Sequence, residues 1–284
     1  MLYAPVYQRV NRMLIDCHVH LESYPDDEIE GVLARGRDAG VGFVISAGTT
    51  LKSSERTVQI SARFPDLFAG VGIHPMDIEA PFTDETYAAL HRLATSSEKV
   101  IVISEIGLDF MEGAPDRSIQ YPALREQIRL ARDLGLPIVF HSRDSHDEIF
   151  RILREERAYE VGGVMHYFQG DERTAKTAID LGFYVSLARP LLRLPHLQEV
   201  AANLSLDNVV LETDSAPQPF KAKRESWTEP RHTRIVADKL AELQGRTVEE
   251  IEEVTSRNMK DVLGERWSVV QRYLDSPQGP SQKG

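Results

Sequence analysis

At 284 residues, 42% hydrophobic and 27% charged, the chain is large enough for one sizeable core and ordinary in composition for a globular protein. A single cysteine, Cys17, excludes an internal disulfide, and a formal net charge of −11 excludes the broad basic face on which long nucleic acid binds. No apolar run approaches the roughly 18 residues of a membrane helix, and residues 1–13 carry Arg9 and Arg12 without an apolar signal core; a cytoplasmic protein with no membrane partner is expected.

In chain order, short runs rich in Val, Ile and Phe alternate with stretches of helical period. Strands are expected over residues 13–19, 43–47, 68–73, 100–105, 137–141, 163–168, 183–187 and 208–213, several so poor in charge that both faces must be buried. A helix over 26–39 carries Ile29, Val32, Leu33 and Ala39 near helical spacing and stops at Gly40. The helix over 121–134 repeats the device with Leu124, Ile128, Ala131 and Leu134 before Gly135, and Pro137 opens the next strand. Further helices are expected over 145–156, 171–181, 229–243, 247–263 and 265–274. Strands alternating with helices imply a parallel sheet, and eight is the number that closes one into a barrel. The expected fold is a single-domain α/β protein, a (β/α)8 TIM-type barrel over residues 14–274, with an open doubly wound sheet as the competing arrangement. Residues 1–13 would form an N-terminal extension, and 275–284, DSPQGPSQKG, a disordered tail.

Histidines at i and i+2 on a strand share a face, which sets His18 and His20 side by side at the end of the first strand. Alone, such a pair is equally compatible with two loop histidines. Glu105 ends a run of almost pure Val and Ile, where a carboxylate needs either a salt-bridge partner or a metal. His74 follows Gly72-Ile73, His141 ends the strand over 137–141, His166 follows Gly163-Val164-Met165, and Asp214 follows 209–213. Singly, each has an ordinary reading: a packed core histidine or, for Asp214, a helix cap. Together they do not. Of nine histidines, five fall at expected strand C-termini, the ends that converge on one face of a parallel barrel. Imidazoles and carboxylates meeting there describe a divalent-metal site. The other four, His91, His146, His196 and His232, fall in helical or loop segments, where surface or capping roles are expected for most.

The segments IDCHVHL, GIHP, SEIGLDF, PIVFHSRD, GVMHYFQG and VVLETDSAP resemble, in content and order, those of the TatD family of metal-dependent deoxyribonucleases, within the amidohydrolase superfamily of barrels. The resemblance runs from Ile15 to Pro217 and continues through SRNMKDVLG near Leu263, so it covers nearly the whole chain after the first dozen residues. It implies one or two divalent ions (Zn, Mn, Mg or Fe), with His18, His20 and Asp214 holding one, His141 and His166 the second, and Glu105 bridging. His74 would sit beside the metals and help bind or polarise phosphate. Three segments depart from the usual family sequence: His166-Tyr167-Phe168-Gln169-Gly170 for HCFSG, ETDSAPQ for ETDAPYL, and Trp227-Thr228-Glu229-Pro230-Arg231 for RNEP. They spare the implied ligands and fall in loops that would contact substrate.

The activity so implied is divalent-metal-dependent hydrolysis of ester bonds, first of all phosphodiester cleavage in DNA. A metal-activated water would attack, Asp214 would act as general base, and Glu105 and His74 would complete the catalytic set. Arg143, Arg189, Lys221, Lys223, Arg224 and Arg231 are the cations available to phosphate, and the KAKR run after the last strand lies on the catalytic face. The acidic composition suits DNA ends or short single strands; a small phosphoester or ester is the other substrate class. Two further functions compete: ester, lactone or amide hydrolysis on the same barrel, and a metal-stabilised binding protein without turnover, against which the complete ligand set argues.

Overall fold

The computed structural model describes residues 13–276. The expected extension and tail therefore lie, apart from Met13, Asp275 and Ser276, outside the described residues; Met13 is buried in the core and Asp275 closes the last helix.

Eight parallel strands stand in sequence order around a nearly closed barrel. They are β1 Leu14–Val19, β2 Val41–Ala47, β3 Leu67–Val71, β4 Val100–Asp109, β5 Ile138–Arg143, β6 Gly163–Met165, β7 Phe183–Leu187 and β8 Val209–Leu211. The connecting helices are α1 Asp26–Asp38, α2 Leu51–Ser61, α3 Asp84–Thr95, α4 Arg117–Leu134, α5 His146–Glu155, α6 Glu172–Asp180 and α7 Pro195–Asn203, followed by α8 Thr233–Gln244, α9 Val248–Leu263 and α10 Trp267–Asp275. The open doubly wound alternative is thereby removed, because β8 returns to β1. Local chemistry sets the ends: Asp116 accepts the Ser118 N–H at the start of α4, and Gly135, at φ +62°, takes the left-handed turn that stops it.

The seam between β8 and β1 is made by few bonds. Val19 and Ser215 form a single parallel bridge. The His20 N–H donates to the Ser215 carbonyl at 2.8 Å, and the Asp214 N–H to the His18 carbonyl at 3.0 Å. At Thr213 a side chain replaces backbone pairing: Asp16 Oδ1 accepts the Thr213 N–H at 2.9 Å and Oδ2 its hydroxyl at 2.5 Å.

The alternation of each strand sorts its side chains. One apolar cluster, including Leu14, Val44, Ile103, Phe140, Val185 and Leu211, packs with the helices. The other holds Phe43, Phe68, Val139, Val164 and Val210 and is joined by Met259, Trp267 and Val270 of α9 and α10. Two residues further along β5, β6 and β8 the same face carries His141, His166 and Glu212, so the interior positions turn from apolar to functional as they reach the C-terminal mouth.

Some boundaries differ from expectation. Strands β6 and β8 stop at Met165 and Leu211, so His166 and Asp214 lie just beyond them. Strand β4 runs on to Asp109 instead of ending at Glu105, because after a register irregularity between Ile103 and Ile106 it resumes pairing with β5. Gly107 makes that possible. Its φ is +154°, and a Cβ there would lie 2.1 Å from the His141 carbonyl oxygen, an approach only glycine permits.

Candidate metal centre

His18, His20, His74, Glu105, His141, His166 and Asp214 meet at the barrel mouth. Glu105 lies at their centre, 4% exposed. Its two oxygens face different partners. Oε2 is 3.3 Å from His18 Nε2 and 3.6 Å from His20 Nε2. Oε1 is 2.6 Å from His166 Nε2, 3.3 Å from His74 Nε2 and 3.5 Å from His141 Nδ1. Asp214 completes the first set, with Oδ1 3.1 Å from His20 Nε2 and 3.9 Å from His18 Nε2.

Three carboxylates behind the histidines decide which nitrogen each presents. Asp109 Oδ2 is 2.8 Å from His141 Nε2, Glu212 Oε2 is 3.4 Å from His166 Nδ1, and Glu22 Oε1 is 3.5 Å from His20 Nδ1. A carboxylate only accepts, so the facing nitrogen carries the hydrogen and the opposite one offers a lone pair, as a metal ligand requires. His74 is oriented the other way. Its Nδ1 accepts the Met76 N–H at 3.1 Å, so in the neutral ring Nε2 carries the hydrogen and presents a donor to Glu105. Although His74 stands close enough to Glu105 and His141 to form a ligand group, this hydrogen bond makes it a donor beside the centre.

Charge follows the same arrangement. Burial alone would raise the Glu105 carboxyl, but His166, His74 and His18 outweigh it and hold it well below the usual carboxylate range. Asp214 is likewise kept low, against burial, by His20 first and then by His166 and His18. Burial is also overcome at His166, pushed up by Glu105 and Glu212, while at His141 burial prevails over the Asp109 hydrogen bond and pushes the ring down.

A divalent cation fits this donor set. Both ring nitrogens of His18 and the Nε2 of His166 are buried with no hydrogen-bond partner, and His166 Nε2 lies close to Glu105 without hydrogen-bond alignment. Buried polar atoms rarely stay unpaired. Here His18 and His166 each bring one ring nitrogen to carboxylate oxygens in groups of three, such as His18, Glu105 and His166, whose donor atoms lie within 4.8 Å of one another.

The backbone at the mouth is unusual at two of these points. Asp214 has φ +51° and Tyr167 φ +50°. Aspartate tolerates the left-handed region, whereas a tyrosine there is held against its preference. The Tyr167 N–H is secured by Glu212 Oε1 at 2.5 Å and Ser186 Oγ at 3.0 Å.

Of the expected cations, Arg143 lines the same cavity as His141 and His166, its Nε 3.5 Å from Asp109. Arg189 donates to the Thr228 hydroxyl at 2.7 Å, Lys221 donates to the Ser226 carbonyl at 3.0 Å, and Lys223 is exposed. Arg224 is paired with Glu28 and Glu229, and Arg231 with Glu229, so their charge is met inside the protein. Glu22, Asp109 and Glu212 were not among the expected site residues. Each stands within four residues of a candidate ligand, in or near a strand too apolar to carry an idle carboxylate.

A parallel eight-stranded barrel with histidines and carboxylates gathered at its C-terminal mouth is the build of a metal-dependent hydrolase. The chain belongs to the TatD family: the model of TatD related DNase matches residues 15–264. It is 34% identical over 255 residues to YabD of Bacillus subtilis (strain 168), an uncharacterized metal-dependent hydrolase, covering 87% of this chain and 98% of that one. It is 30% identical over 276 residues to the putative deoxyribonuclease TATDN3 of Mus musculus, covering 93% and 92%. The crystal structure of YjjV, a TatD homolog from Escherichia coli K12, superposes with a TM-score of 0.79 at 28% identity, covering 88% of this chain and 97% of that one. No helix of the described residues is long and apolar enough to cross a membrane.

Proposed function

We propose that the chain is a divalent-metal-dependent deoxyribonuclease that cleaves phosphodiester bonds at DNA ends or in short single strands. The observation that carries this reading is the division of Glu105, with one oxygen toward His18 and His20 and the other toward His166 and His141. It suits a bridging carboxylate between two ions, an arrangement matched to the two oxygens of an in-line phosphoryl displacement. The deoxyribonuclease names of the mouse and human TATDN3 relatives support DNA as substrate, and the net charge of −11 favours a small footprint.

Ions bound there supply Lewis acidity, lowering the pKa of a water and neutralising phosphoryl charge. The chain does the rest. His18, His20 and Asp214 would hold one ion, and His141 and His166 the other. Asp214, kept ionised by His20, is ready to accept the proton of the attacking water. His74, whose Nε2 carries its hydrogen, donates to oxygen as negative charge develops. Arg143, lining the adjoining cavity, is the cation best seated to meet a phosphate.

The test is a screen of zinc- and manganese-loaded protein against a labelled single-stranded DNA, bis(4-nitrophenyl) phosphate, a phosphomonoester and a panel of esters and lactones. Cleavage of the DNA and the diester is expected, with Asp214→Asn slower by about 100- to 10,000-fold and still folded. Asparagine caps a helix about as well as aspartate, so a wild-type rate in that variant would remove Asp214 from the chemistry. Turnover confined to esters or lactones would overturn the nuclease reading.

A further inference from the structure

Beside the proposed ligands the mouth opens into a cavity of about 430 Å³ lined by His141, His166, Asp144, His146, Tyr167 and Gln169, within the size range of small-ligand sites. His146 begins α5, where a surface or capping role was expected, and a chain of hydrogen bonds fixes its ring. Ser145 Oγ donates to the Leu108 carbonyl at 3.0 Å, and a carbonyl only accepts. The single Ser145 proton being committed, Ser145 accepts in its 3.0 Å contact with Ser142, and Ser142 is the donor. The Ser142 proton is then committed too, so at 2.8 Å His146 Nδ1 must donate to Ser142 Oγ. Burial, only partly offset by Asp171, Asp144 and Asp147, pushes the ring below the ordinary imidazole range, which leaves it neutral at pH 7. Its hydrogen is on Nδ1, so Nε2 is a bare acceptor. None of the described residues forms a hydrogen bond with it.

We infer that His146 is a specificity-determining residue, its Nε2 accepting a hydrogen bond from a hydroxyl or amino group of a substrate seated in the cavity beside His141 and His166. Asp144, whose carboxylate can only accept, is among the residues lining the same cavity and offers a second acceptor. Neither is satisfied by a phosphate oxygen. Both are satisfied by the sugar hydroxyls and base amines of a nucleoside flanking the scissile phosphate, so the inference rests on the phosphodiesterase reading and extends it to the neighbouring group.

Two variants separate the two ring nitrogens. His146→Asn places an amide where Nδ1 is and keeps the donor to Ser142, but has nothing at Nε2; His146→Gln places a polar atom near Nε2. With zinc-loaded protein, His146→Asn should raise KM for a short single-stranded DNA about tenfold, the loss of one hydrogen bond, with kcat little changed. It should leave bis(4-nitrophenyl) phosphate, which has no hydroxyl or amine, unaffected, and His146→Gln should recover part of the DNA KM. Equal effects on both substrates, or none on DNA, would overturn the inference while leaving the nuclease reading intact. ¹⁵N NMR of the wild type gives a readout that needs no turnover: Nδ1 should be protonated in the free protein, and the Nε2 resonance should move when the same oligonucleotide is added. If the wild type cleaves neither phosphodiester, the nuclease reading fails by itself and the resonance decides alone. Movement of Nε2 upholds the contact; an Nε2–H tautomer, or an unmoved resonance, sinks it.

Discussion

Asp109 Oδ2 lies 2.8 Å from His141 Nε2, and that one contact turns the other nitrogen of the ring, Nδ1, toward Glu105. Asp109 is fully buried, and the Met111 N–H also donates to it. Groups that orient a ligand in this way typically contribute 10- to 100-fold in metal affinity. Asp109→Asn should therefore weaken binding of the second equivalent of zinc by about that factor while the first equivalent binds normally. Isothermal titration of the metal-stripped protein measures both. Unchanged affinity at both sites would leave Asp109 with a packing role only.

His74 makes a contrasting prediction. Because Nε2 is the protonated nitrogen, His74→Ala should retain full metal content yet lose about 100-fold in kcat, the usual effect of removing one donor from developing negative charge. His74→Gln, which can return a donor near Nε2, should recover part of that loss. Metal analysis showing one ion fewer in His74→Ala would instead make it a ligand.

His232 governs an acid-dependent part of stability. Its Nδ1 accepts the Glu229 N–H at 2.9 Å, and burial, reinforced by Arg189 and Arg231, pushes the ring down to about 4. An unfolded histidine titrates near pH 6.5. Between those values the unfolded chain binds more protons, so the stability is fully present above about pH 6.5 and is lost as the pH falls toward 4. His232→Asn keeps an acceptor for Glu229 and removes the titration. Its urea midpoint should change less between pH 7 and pH 5 than that of the wild type; parallel curves would clear His232 of the effect.

The seam predicts a stability defect from the loss of a polar contact. Asp16→Ala leaves the Thr213 N–H and hydroxyl, both in buried surroundings, without an acceptor. At about 1–3 kcal/mol for each orphaned group, the loss should be on the order of 3 kcal/mol by urea unfolding. A loss under about 1 kcal/mol would mean that the backbone bonds among His18, Val19, His20, Asp214 and Ser215 close the barrel without the Asp16–Thr213 contact.

Much of this was legible beforehand, for definite reasons. Buried parallel strands must be apolar on both faces, so the runs leading to Glu105, His141 and Asp214 stood out, and the polar residue ending each run marked the mouth. Helices with a wide apolar stripe and a glycine stop, α1 and α4, were equally plain. Helices α2, α3 and α7 were not read. Leu51–Ser61 holds three serines and few apolar residues and is nucleated by a capping box between Thr50 and Ser53, a local signal with little apolar period. In Asp84–Thr95 only Leu90 and Ala94 are buried, and Pro195–Asn203 spans nine residues. Glu212 and Asp109 were hidden differently. Each lies in a quoted motif, but their work depends on which side of an imidazole they reach, and one-dimensional spacing carries no such direction.

The seam has a consequence for how activity arises during folding. The bonds that close the barrel belong to Asp16, His18, His20, Thr213, Asp214 and Ser215, so the first and last strands meet through the same residues that bring Asp214 to His20. Pairing across nearly 200 residues of chain must meet a large loop-closure entropy before its contacts form. A nascent or clipped chain that lacks β8 and the residues after it also lacks Asp214, one of the three side chains grouped as His18, His20 and Asp214, so the site stays incomplete until the fold is complete.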